Sequence, residues 1–125
     1  MRVLHARYDP SVPPGYAMRV LRRARAAHGW RGLVEVHHVI PQSLGRHAVV
    51  KRYNYDVRAP YNLLLMPNRR GIEALKLRSS RPAHDWKHTE YNRNVLANLE
   101  ACENRAAFVA LLVTLHAVCR GRTPA

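Results

Sequence analysis

The sequence predicts an α+β domain, and three observations predict it. An amphipathic segment follows the proline-rich start of the chain; two short apolar runs bounded by Gly and Pro sit in its middle; and two stretches of helical periodicity close it. With 125 residues the chain is long enough to bury a core without staples, so one domain is expected across 1–125.

Taking the elements in order, residues 1–15 hold Pro10, Pro13, Pro14 and Gly15 and read as an extended arm. A basic helix is expected over 16–32. Met18, Leu21, Ala24 and Ala27 recur at helical spacing, Arg19, Arg22, Arg23 and Arg25 form the other face, and Gly29 ends the pattern. "LVEVHHVI" between Gly32 and Pro41 is a strand, and "YNLLLMP" between Pro60 and Pro67 is a second. The long loop between them has room for one helical turn, and 68–83 reads as a polar, basic connection. A helix is then expected from near His84 to about Glu100, and a last one, capped by Asn104, to about Cys119. The run "AAFVALLVTLHAVC" suits a core helix better than a membrane span, and no long apolar segment follows the first residues. The cytoplasm or nucleoid is the favoured location, with no membrane partner.

Charge narrows the function. The 21 Lys plus Arg outweigh 8 Asp plus Glu, for a net charge of +13. Such a chain attracts polyanions by counterion release, and its preference for Arg over Lys suits bidentate phosphate contacts. Nucleic acid is therefore the expected partner. The two cysteines, Cys102 and Cys119, read as small buried hydrophobes; a disulfide between them requires a break in the C-terminal helix.

The histidines carry the chemistry. His84 and His88 are four apart, a spacing that on a helix puts both rings on one face, and Tyr91, Val95, Leu99 and Cys102 continue that stripe inward. His37 and His38 are adjacent, so a flat strand turns them to opposite faces; both reach one site only if the chain bends ahead of Pro41. Glu35 shares the His37 face and is a candidate supporting carboxylate. Imidazoles gathered round a cation leave positions open for water and a phosphate oxygen, and a further histidine can then take a proton. The scattered acids disfavour a two-metal carboxylate site, and no nucleophile motif for Ser or Cys is present. His5, His28, His47 and His116 are assigned to structure or surface, and Trp30 and Trp86 to packing.

The ordered set "VHHVIP", "YNLLLMP" and "HDWKHTEYN" resembles the HNH/endonuclease VII superfamily, in particular its branch named for an Ala-His-His motif. The matching region runs from 34 to about 99. Each piece is weak alone, but the combination is narrow. The resemblance implies a ββα-metal core over 33–101, with the basic helix before it and a C-terminal helix and tail over 102–125. It implies an endonuclease that hydrolyses phosphodiester bonds, with His38 as general base and Asn62 holding the loop that orients it. By the same resemblance His37, His84 and His88 bind one divalent ion, for which Zn, Mn and Ni suit nitrogen ligands better than Mg. Tyr91 and Asn92 match supporting positions. Val36 stands where the branch has Ala, and the connection of about twenty residues between Asn62 and His84 is longer than in compact members.

Arg46, Arg52, Arg69 and Arg70 lie in the connections and are candidate phosphate clamps. DNA is favoured over RNA, with little sequence specificity, because no separate reading module lies outside the core. An acidic immunity or inhibitor protein is a second possible partner. The alternative is a non-catalytic basic nucleic-acid-binding protein with a structural metal, although such sites are usually rich in Cys and none lies near the histidines.

Overall fold

The computed structural model describes residues 16–78, 83–84 and 89–120. The arm at 1–15 with His5, and also Trp86 and His88, lie outside the described residues.

Two short strands form the centre. β1 (Val34–His38) pairs antiparallel with β2 (Leu63–Pro67), with Val34 opposite Pro67 and His38 opposite Leu63. Side chains alternate across this ribbon, so each strand serves two cores. On one face Leu63, Leu65 and Val34 pack with Leu21 of α1 (Tyr16–Ala27). On the other, Leu64 and Met66 join Val39, Ile40, Val95 and Leu99 of α4 (Thr89–Glu100), and Phe108 and Leu115 of α5 (Arg105–Cys119). Burial on both faces explains why β2 reads as an unbroken apolar run rather than an alternating one.

The long connection between the strands is more structured than one helical turn. It holds a 3-10 turn at Gln42–Leu44, α2 (Ala48–Arg52), and a second 3-10 turn at Pro60–Asn62, so Asn62 precedes β2 instead of lying in it. His47 caps α2, its Nδ1 accepting from Val49 N at 3.1 Å. His28 stacks on Trp30, with ring centroids 4.3 Å apart. Both contacts are local to the chain around them.

Two differences from the sequence reading stand out. Residues 68–83 contain a helix, α3 (Arg69–Ala74), which Asn68 caps by accepting from Gly71 N at 2.8 Å. The Asn68 amide also donates to Gly32 O at 2.8 Å, tying α3 to the turn before β1. Furthermore, His84 itself is not helical, and its N–H donates to Pro67 O at 2.6 Å, at the end of β2; the described part of the helix expected from it is Thr89–Glu100.

Asn104 caps α5, its side chain accepting from Ala107 N at 2.8 Å. Cys102 lies between α4 and α5, and Cys119 is the last residue of α5. A helix of this length holds them roughly 20 Å apart at 1.5 Å per residue, so both are free, buried thiols.

Candidate active site

β1 delivers its two histidines to the sheet end that faces the 3-10 turns. His37, across from Leu64, points toward α4, where its ring meets Tyr91 edge-on at 5.1 Å between centroids. The ring of His84 approaches His37 in the same T-shaped manner at 5.2 Å. His37 is buried.

His38 is half-buried, and the strand ends with it. The chain bends through Val39 and Ile40 to Pro41, and this bend lets both neighbours open onto one cleft of about 320 Å³. His84, Gln42, Ser43 and Asn92 share its walls. Among the described residues no carboxylate lines it, which suits an anionic ligand. Burial lowers the pKa of His38 below the usual histidine value, so its ring is neutral at pH 7 and able to accept a proton.

Asn62 is fully buried and makes four side-chain bonds. Its Oδ1 accepts from Ile40 N at 2.8 Å and from the Tyr55 hydroxyl at 2.7 Å; its Nδ2 donates to Ile40 O at 3.0 Å and Val57 O at 2.7 Å. That uses the whole capacity of a side-chain amide. Asn62 therefore acts on the backbone beside His38 and not on a ligand. Tyr91 completes this frame, donating to Val39 O at 2.6 Å.

The remaining candidates are less central. The Glu35 carboxylate is engaged by Arg25 of α1 at 3.1 Å and does not line the cleft. Arg46, Arg52, Arg69 and Arg70 are all exposed, and none lines the cleft. Arg46 follows the turn that supplies Gln42 and Ser43, whereas Arg69 and Arg70 open α3 at the Val34 end of the sheet, opposite His38. Sequence reasoning missed Gln42, Ser43 and Tyr55. The first two sit directly after Pro41, where the bend itself was the available signal.

The donor set suits a divalent cation, because imidazole nitrogens are ordinary ligands for first-row ions. Among the described residues no group of three His, Cys, Asp or Glu is gathered as a metal site. Two of the three expected ligands, His37 and His84, are brought together, and the third, His88, lies outside the described residues.

The profile of AHH, a nuclease family of the HNH/ENDO VII superfamily with conserved AHH, matches residues 14–111. The chain belongs to the AHH nuclease family. The match spans α1, both strands, the His37–His38 pair and α4, so the AHH assignment covers every element that builds the cleft. No curated protein and no solved structure matches the chain. An AHH nuclease acts on nucleic acid, which agrees with the charge of +13, and the α+β architecture with a two-stranded antiparallel sheet agrees with the HNH-like fold. None of the described helices is long and apolar enough to cross a membrane.

Proposed function

We propose that the chain is a metal-dependent endonuclease that hydrolyses phosphodiester bonds, of DNA in preference to RNA and with little sequence specificity. The observation that carries this reading is the opening of His37 and His38, adjacent in sequence, onto one cleft together with His84. His38 is the general base: its neutral ring takes a proton from the attacking water. His37, His84 and His88 would hold one divalent ion, of Zn, Mn, Ni or Mg. When bound, such an ion supplies positive charge against the phosphate and the leaving oxygen. Tyr91 packs against the His37 ring and limits its rotation, and Asn62 keeps the backbone after His38 in place.

The exposed Arg46, Arg52, Arg69 and Arg70 steer and clamp the phosphate backbone from outside the cleft. The same charge favours an acidic inhibitor protein as a second partner. An open cleft is unlike a structural metal site, which is closed by its ligands, and so supports the enzyme over the binding-module alternative.

The test is a cutting assay on supercoiled plasmid and on single-stranded RNA, with Mn²⁺, Mg²⁺, Zn²⁺ or Ni²⁺ and with EDTA. Nicking that needs the ion and vanishes in His38→Ala is the expected result. Absence of cutting on both substrates with every ion would sink the reading.

A further inference from the structure

The two residues after His38 have all four of their backbone polar groups engaged. Val39 N–H donates to Asn62 O at 2.9 Å and Val39 O accepts from Tyr91 at 2.6 Å, while Ile40 N–H and C=O are both held by the Asn62 side chain. Asn62 is the hub of this arrangement, and its amide has a direction. Turned over, it would set Nδ2 against Ile40 N–H, and Oδ1 against the carbonyls of Ile40 and Val57. The hydroxyl of Tyr55, 2.7 Å from Oδ1, donates to that oxygen and occupies its second lone pair.

We propose that Tyr55 is a positioning residue for the hydrolysis: by fixing the Asn62 amide it holds the Val39–Ile40 bend and thereby aims the His38 ring into the cleft. This rests on the reading of His38 as general base.

Three features make the hydroxyl separable from the rest of the side chain. The ring is packed edge-on against Phe108 of α5 at 5.6 Å and lies tilted against Tyr61 at 4.9 Å, so it stays in place without the oxygen. Burial raises the pKa of the phenol far above the working range, so it remains a donor. Tyr55 also lies outside the wall of the cleft, so its effect on a ligand is indirect.

The experiment compares the parent, Tyr55→Phe, and 4-aminophenylalanine at position 55, which restores a donor at the same place. Tyr61→Phe serves as control, since that hydroxyl accepts from the exposed Asp56 N–H and does not bond Asn62 in the described set. Plasmid cutting gives kcat and KM, and hydrogen exchange follows the Ile40 amide. Tyr55→Phe is expected to lower kcat on the order of tenfold or more with KM unchanged, as small misplacements of a reacting group do. It should also speed exchange at Ile40 by a similar factor, and 4-aminophenylalanine should restore both. Unchanged kcat and exchange in Tyr55→Phe would overturn the proposal, as would loss of the fold in that variant, which would make Tyr55 a stability residue. Failure of the underlying reading is distinguishable: His38→Ala would then cut at the parental rate whatever Tyr55 does.

Discussion

Asn62 and Ile40 bond to each other twice, the backbone N–H of Ile40 reaching Oδ1 at 2.8 Å and its carbonyl accepting from Nδ2 at 3.0 Å. The side chain of one residue thus replaces a rung of sheet where the ladder has ended. Truncation leaves buried Ile40 N–H and Val57 C=O groups without partners, at about 1–3 kcal/mol each. Asn62→Ala should therefore lower stability by about 2–4 kcal/mol. A urea midpoint unchanged from the parent would contradict this.

His38→Ala should retain the fold, because the ring is only half-buried, while cutting falls about 10²- to 10⁴-fold. Circular dichroism melts and plasmid nicking, run on the same preparation, separate the two effects.

His37→Ala should act differently. It removes a ring packed on both Tyr91 and His84, so metal affinity measured by calorimetry should collapse and the melting temperature should drop as well. Unaltered Mn²⁺ or Zn²⁺ binding in this variant would remove His37 from the ligand set.

Gly71→Ala tests the seating of α3. A Cβ there would meet the carbonyl of Leu33 far inside van der Waals contact, with backbone rather than a flexible side chain in the way. The helix must shift, and a loss of about 1–3 kcal/mol is expected in a urea titration.

Stability should also fall with acid in a way that His116 helps to set. Its pKa lies below the ordinary 6.5, through burial first and the nearby Arg120 second, against a hydrogen bond to the Tyr61 backbone that acts the other way. The unfolded chain then binds the proton more tightly, so this contribution is complete above pH 6.5 and is lost as pH falls toward the folded-state value. His38 contributes with the same sign. His116→Gln should flatten part of the slope of melting temperature against pH below 6.5; an identical slope would exclude it.

The strands were legible because Gly32, Pro41, Pro60 and Pro67 punctuate runs of apolar residues, and α5 because Asn104 precedes a long periodic stretch. The doubled histidine, the downstream Asn and the His84–His88 spacing were together enough to name the family. α3 was hidden because Gly71 looks like a helix breaker, yet it is there for the close approach of Leu33. The bond from His84 N–H to Pro67 O joins residues 17 apart, which no local pattern encodes. The pairing of Arg25 with Glu35, and the grip of Tyr55 on Asn62, depend likewise on how the elements dock.

The Val39–Ile40 bend has a kinetic consequence. With both amides bonded inside the protein and both side chains wholly buried, no small opening releases them. Their deuterium uptake should track global unfolding, so the backbone that follows His38 keeps one arrangement for as long as the chain stays folded.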